Sequence, residues 1–255
     1  MKPLVTVGIP TYNNSKGLLE TINSIINQDY KNLQIIISDN SSTNYNIYEL
    51  LSDLMQNDNR IKVIKQSTNI GVIPNFKFVL NQAKGEYFMW AADDDNWASN
   101  YISECLSVFS VNTNCVTVFS HFDVINLKTK EFAHRMTPTS CSSNSQFNRV
   151  CIRLYEMTPN MIYGLHKTKI LRKIKIEAFD WFDVLVTVQL AYYGKVLIIP
   201  KSLYLVGSEV PRKPYSLTGK YFSFKIFRHN MNSFFEKKFP FRHRIFISLY
   251  LFYVS

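Results

Sequence analysis

Tyr87-Phe88-Met89-Trp90-Ala91-Ala92-Asp93-Asp94-Asp95-Asn96-Trp97 is an apolar run that ends in three adjacent carboxylates. An unbroken apolar stretch of this kind predicts a strand buried on both faces. It delivers Asp93, Asp94 and Asp95 to a strand end. Carboxylates packed that tightly repel one another, and burying them unpaired is costly. A divalent cation resolves the repulsion, and all-oxygen ligands suit Mg or Mn. The ordinary partner of such a cation is a diphosphate. The plainer alternative is a solvated acidic turn that caps a helix starting near Ser99.

Working outward, strands alternate with helices through the first half of the chain. Leu4 to Ile9 is a β-branched run closed by Pro10, and Leu18 to Ile26 has helical periodicity with Ser15 as its N-cap. Leu33 to Ser38 reads as a second buried strand and Ile61 to Ile64 as a third strand. Tyr45 to Met55 and Pro74 to Ala83 read as helices. This alternation predicts right-handed crossovers building a parallel sheet. Loops at the carboxyl ends of such strands carry function. Four polar segments fall there: Pro10 to Asn14, Asp39 to Ser42, Thr68 to Gly71, and the aspartates. Their convergence points to a nucleotide site more strongly than any one of them does.

The second half is less regular. Val116 to Phe119, Asp123 to Leu127, Val196 to Ile199 and Leu203 to Val206 look like strands. Thr137 to Asn148 reads as a loop, Trp181 to Tyr192 as an amphipathic helix, and Gly207 to Gly219 as a mobile loop.

At 255 residues and 46% hydrophobic content, the chain is long enough for one full α/β core. Cys105, Cys115, Cys141 and Cys151 lack CxxC spacing, and Met1-Lys2-Pro3 opens no signal peptide. Reduced cytosolic thiols are expected, rather than disulfides or a zinc site. The net charge of +10 is concentrated at the end: residues 220–255 hold seven Lys or Arg against the single acid Glu236, interleaved with twelve Phe or Tyr. That pattern favours an anionic membrane surface over nucleic acid. Its alternative is ordinary helices packed on the domain with a basic outer face. No stretch reaches the roughly 18–20 apolar residues that a spanning helix needs.

Taken together, Val5 to Asn13, Ile37 to Ser42, Asn69-Ile70-Gly71, and Gly85-Glu86-Tyr87 leading into the aspartates resemble a glycosyltransferase of family 2, of the bacterial surface-polysaccharide type. Asp183 ahead of Leu190 to Lys195 extends the resemblance to about residue 200. The resemblance implies the GT-A fold: α/β, with a Rossmann-like, mostly parallel central sheet flanked by helices. Residues 1–219 would form the catalytic domain, with a nucleotide-sugar half to about 97 and an acceptor half from 98, and 220–255 a basic aromatic helical tail.

It also implies a metal-dependent inverting transfer from a nucleotide-diphosphate sugar, UDP-linked, to a glycan or lipid-linked acceptor. The expected setting is the cytoplasmic face of the membrane, with the basic aromatic tail suggesting peripheral contact through 220–255, and with no nucleic acid. Pro10, Thr11, Tyr12 and Asn13 would contact the nucleotide-sugar, Thr11 and Tyr12 lining the base and ribose pocket. Asp39 would accept from a base N–H, since a carboxylate selects a base edge that offers a donor. Asn69 and Gly71 would shape a turn under the donor, Gly71 admitting close backbone approach.

The family's acidic motif fits in two registers. In one, Ala92 stands where the first Asp often is and Asp94 leads the metal ligands. In the other, Asp93 and Asp95 make the Asp-x-Asp spacing. All three aspartates stay candidates for the Mn or Mg ion, and Asp93 and Asp94 also for donor contact. The catalytic base would be Asp183 or Asp180, with capping of the helix by both as the alternative. His121, His134 and His166 are minor candidates for further contacts, and Arg212 and Lys213 for closing over the diphosphate. A sugar nucleotidyltransferase is disfavoured because Pro10 to Lys16 has no glycine-rich phosphate loop. A nucleotide-sugar-binding module without catalysis stays open, because Ala92 and Phe182 stand where the family often has acids.

Overall fold

The structure is a computed structural model. It describes residues 2–126, 129, 131–177 and 181–208 and, in the tail, 229–231, 233–235, 238–240, 243 and 247. The first half comprises β1 (Val5–Thr11), α1 (Ser15–Ile26), β2 (Leu33–Asp39), α2 (Ile47–Leu50), α3 (Ser52–Asn57), β3 (Ile61–Lys65), α4 (Val72–Asn81) and β4 (Tyr87–Trp90). The second half comprises β5 (Asn96–Trp97), α5 (Tyr101–Val111), β6 (Cys115–Asn126), β7 (Phe132–Met136), α6 (Gln146–Glu156), a 3-10 turn (Pro159–Tyr163), β8 (Leu165–Lys167), α7 (Thr168–Leu171), α8 (Phe182–Tyr193) and β9 (Lys195–Ser208).

One sheet runs β3-β2-β1-β4-β8-β6-β9-β5, with β7 paired to the outside of β6. β3, β2, β1 and β4 are parallel, as the alternating pattern predicts. β8 then enters antiparallel between β4 and β6, and β6 pairs in parallel with β9. All of β1 is buried because helices cover both faces of this part of the sheet. Along each strand the residues alternate between two cores. Ile35, Ile37, Tyr87 and Met89 join one; Ile36, Phe88 and Trp90 join the other, under α4.

Several boundaries differ from expectation. Asn14, not Ser15, caps α1, its side chain accepting from the Gly17 N–H. The helix expected over Tyr45 to Met55 is broken at Leu51 into α2 and α3. The two strands expected on either side of Ser120 to Phe122 are one long β6, and those flanking Pro200 are one long β9. Proline has no N–H to give the ladder. The register steps from Ser120 opposite Ile199 to His121 opposite Ser202, so the irregularity absorbs Pro200 and Lys201. The end of the loop expected over Thr137 to Asn148 already belongs to α6, capped by Ser145.

The tail's described residues bury apolar side chains on the domain. Met231, Phe235, Phe239 and Ile247 pack with Val150 and Leu154 of α6 and with Val184, Leu185 and Val188 of α8. The loop with Arg212 and Lys213, and Asp180, lie outside the described residues.

Candidate active site

The acidic loop after β4 is held by donors from α1. Asn14 Nδ2 donates to the Asp93 carbonyl at 2.8 Å, and Thr21 Oγ1 lies 3.0 Å from the Ala92 carbonyl and 2.8 Å from that of Asp95. Gly17 permits this approach: a Cβ there would stand 2.4 Å from the Asp93 carbonyl oxygen. The loop is therefore rigidly placed before any ligand arrives.

The three aspartates then diverge. Asp93 Oδ2 accepts a 2.6 Å hydrogen bond from Thr11 Oγ1 at the end of β1. Burial pushes the Asp93 carboxyl above the usual carboxylate range, opposed by hydrogen bonds from Thr11, Asn14 and the Tyr12 backbone. Asp94 is exposed at the wall of a cavity of about 400 Å³. Asp95 is turned the other way. It is 3% exposed, its Oδ2 takes the Tyr204 hydroxyl, and its Oδ1 accepts from the Gly207 N–H at 3.0 Å. Trp97 stacks on the Tyr204 ring at 5.0 Å. Asp95 thus pins the acidic loop to β9, and the structure separates it from the two aspartates that reach the cavity.

The same cavity is lined by Pro10, Thr11, Tyr12, Ala92, Asp93, Asp94 and Asp183. Asp183 sits in the first turn of α8, its Oδ1 accepting from the Val184 N–H at 2.6 Å. Residues more than 170 positions apart in sequence therefore face one space of 400 Å³.

Asn13, Asp39, Asn69 and Gly71 do not line the cavity; they adjoin the lining residues Tyr12, Asn40 and Val72 in sequence or by hydrogen bond. Asn13 adopts φ 55° and ties the β1 loop to the β2 loop, its N–H donating to Ser42 Oγ at 2.8 Å. Asp39 is fully buried; its Oδ1 accepts from the Ser42 N–H at 3.1 Å. Its Oδ2 is buried with no hydrogen-bond partner among the described residues. A buried carboxylate oxygen without a donor is costly, and a ligand N–H would remove that cost. Asn69 Oδ1 accepts from Asn40 Nδ2 and from the Gly71 N–H, each at 2.9 Å. Gly71, at φ 89°, turns the chain directly into α4.

Other cavity residues carry no local motif. Asn75 is fixed between the Ser38 hydroxyl at 2.6 Å and the Ser38 carbonyl at 2.9 Å. Tyr163, from the 3-10 turn, also borders the cavity. Its hydroxyl is held well above the ordinary tyrosine range, first by lost hydration and then by the negative charges of Asp95, Asp94, Asp183 and Asp93. One phenol thus feels four of the site's aspartates.

His166 is a brace. Nε2 lies 2.8 Å from the Ile162 carbonyl, which only accepts, so Nε2 carries the proton and Nδ1 takes the Thr117 hydroxyl at 3.0 Å. Burial lowers its pKa to about 4. Neither His121 nor His134 lines the cavity.

Among the described residues no three His, Cys, Asp or Glu side chains group into a protein-only metal cage. Asp93 and Asp94 fit the other arrangement, in which one or two carboxylates and the substrate's own phosphate oxygens share a hard cation.

Residues 6–172 match the family model described as glycosyl transferase family 2. A GalNAc(5)-diNAcBac-PP-undecaprenol beta-1,3-glucosyltransferase of Campylobacter jejuni is 36% identical over 102 residues, 40% of this chain and 33% of that protein. The chain spans between 29% and 54% of the length of the curated relatives it matches. Among solved structures, S. aureus TarS 1-349 in complex with UDP-GlcNAc superposes with a TM-score of 0.69 at 19% identity, covering 96% of this chain and 70% of that one. The mannosyltransferase PcManGT from Pyrobaculum calidifontis, in complex with GDP-Man and Mn2+, gives a TM-score of 0.63 at 17% identity, with 98% and 70% covered. At such identities the likeness shows the fold, GT-A.

Proposed function

The chain belongs to glycosyl transferase family 2, and from that premise we propose that it moves a sugar from a UDP-linked donor to a hydroxyl of a glycan or lipid-linked acceptor, with inversion. One observation carries the reading. Asp94 and Asp183 face the same cavity as Thr11 and Tyr12, with a volume that suits a nucleotide-sugar.

In this reading the residues take distinct roles. Asp39 Oδ2, buried and lacking a donor, takes the imide N–H of the base. Tyr12, 45% exposed at the rim, borders the base and ribose. Asp94, with Asp93 behind it, would hold Mn or Mg against the diphosphate. When bound, that ion neutralises the charge that develops on the leaving nucleoside diphosphate. Asp183 takes the proton of the acceptor hydroxyl as that oxygen attacks the anomeric carbon. A single displacement needs no nucleophile on the protein. UDP-GlcNAc in one structural relative, and GDP-Man with Mn2+ in the other, support this assignment of the cavity.

The acceptor side rests on the undecaprenol-linked substrate in the Campylobacter relative's name and on the basic tail. No helix among the described residues is long and apolar enough to cross a membrane. Peripheral contact of 220–255 with the cytoplasmic leaflet is the proposed setting. Among the described tail residues, Met231, Phe235, Phe239 and Ile247 spend their apolar surface on α6 and α8.

The test is a panel of nucleotide-sugars screened for thermal stabilisation with and without Mn or Mg, followed by transfer and donor hydrolysis with the best donor. Metal-dependent stabilisation by one donor, with turnover, is the expected result. Stabilisation without any turnover or hydrolysis would favour a binding module, a reading that Ala92 in the cavity wall keeps in view.

A further inference from the structure

A second concavity, of about 240 Å³, lies between α8, the segment 173–177 and the described tail residues. Three lysines line it: Lys173 and Lys175 from the segment 173–177, and Lys238 from the tail. Glu177, also in its wall, pairs with Lys175. The lysines outnumber the single Glu177 in this wall, so the hollow is net positive and attracts an anion.

The hollow is built rather than incidental. On α8, Gln189 and Tyr193 lie one turn apart on the face that lines it. The Gln189 amide grips the Lys175 backbone in both directions, accepting from its N–H at 3.1 Å and donating to its carbonyl at 2.9 Å. Two lysines are held at the wall by rings: Lys173 Nζ lies 6.0 Å from the Tyr193 centroid and Lys238 Nζ 4.2 Å from that of Phe234. Asn230 and Ser233 add neutral donors from the tail.

We propose that this hollow binds a phosphate group. Hydroxyl, amide and ammonium donors around a space of this size match a tetrahedral oxyanion rather than a carboxylate's planar fork. The site stands apart from the nucleotide cavity but on the same helix as Asp183. Gln189 is six residues further along α8, about 9 Å along the axis. A phosphate held there would belong to the acceptor's carrier or to the lipid surface, which deepens the acceptor half of the proposed function and rests on it only for that identity.

The experiment uses the full chain and no nucleotide-sugar, so its outcome is separate from that of the donor assignment. Binding is measured to vesicles of phosphatidylcholine with and without phosphatidylglycerol, and, as thermal stabilisation, to inorganic phosphate and pyrophosphate. The pocket variant is Lys173→Gln/Lys175→Gln/Lys238→Gln. A charge-matched control carries Lys31→Gln/Lys62→Gln/Lys84→Gln at exposed positions elsewhere.

If a lipid headgroup is the source, the pocket variant binds phosphatidylglycerol vesicles on the order of tenfold more weakly while the control stays near the unchanged protein. If the source is a soluble phosphate, vesicles show no difference, and phosphate or pyrophosphate stabilises the unchanged protein and the control but not the pocket variant. Lys-to-Arg replacement at the three positions keeps binding in either case. Should the triple variant fail to fold, Lys173→Gln and Lys238→Gln singly serve the same comparison. Equal losses in the pocket and control variants, or no binding of either probe to the unchanged protein, would overturn the proposal.

Discussion

Thr11 Oγ1 donates to Asp93 Oδ2 at 2.6 Å, joining the end of β1 to the acidic loop across 82 residues of sequence. This bond keeps a half-buried carboxylate ionised against its desolvation, since burial raises the Asp93 pKa and the Thr11 hydroxyl lowers it. Ligand binding that needs the charged form is lost as pH falls through that raised pKa. Removing the hydroxyl in Thr11→Val raises it further. Metal-dependent donor binding, followed by calorimetry across the acid range, is therefore expected to fail at a higher pH in Thr11→Val than in the unchanged protein. Coincident profiles would show that Asp93 takes no part.

Asp94 and Asp183 share the cavity wall but differ in role, and kinetics separates them. Asp94 is exposed, so Asp94→Asn should leave stability within about 0.5 kcal/mol while abolishing the metal-dependent part of donor binding. Asp183→Asn should leave donor binding intact and lower turnover by roughly 10²–10⁴-fold, the usual worth of a positioned base. Near-normal turnover in Asp183→Asn would move the base to Asp180 or elsewhere.

Asp95 behaves differently from its two neighbours. It is bonded to Tyr204 and to the Gly207 N–H. Tyr204→Phe withdraws one donor from a buried carboxylate and is expected to cost about 1–3 kcal/mol in denaturant unfolding. Donor affinity, measured well below the melting transition, should change less than in Asp94→Asn. A Tyr204→Phe protein as stable as the unchanged one would mean that Asp95 is solvated and the pin is absent.

These contrasts show where the sequence was informative. β1, β2 and β4 were legible as predominantly apolar, buried runs between turn residues and β3 as the mixed, half-exposed run of an edge strand, and their parallel order follows from the intervening helices. That order alone brings Thr11, Tyr12, Asp93 and Asp94 to one edge. Asp95 was not separable from Asp94 by type or spacing, because its partner Tyr204 lies 109 residues away. Tyr163 was invisible for a related reason: it reaches the aspartates only because β8 inserts antiparallel between β4 and β6. α6 was hidden by Arg149 and Arg153, which occupy buried positions where periodicity looks for apolar residues. Arg149 instead donates to the carbonyls of Ala191 and Tyr192, satisfying the end of α8.

His166 offers a test of the brace beneath Tyr163. Its ring is neutral in the folded state, with Nε2–H given to the Ile162 carbonyl, and its pKa falls from 6.5 to about 4. The unfolded chain binds that proton more readily, so His166 contributes stability above about pH 6.5 that is lost as pH falls toward 4. The separation corresponds to on the order of 3 kcal/mol. Urea unfolding of the unchanged protein and of His166→Gln across this window isolates it from the carboxylates that titrate nearby. The variant is expected to be less stable at neutral pH, because the Thr117 and Ile162 bonds are disturbed, and to lose less stability on acidification. Parallel stability curves for the two proteins would show that the imidazole is hydrated and that Ile162, and Tyr163 beside it, are held by other contacts.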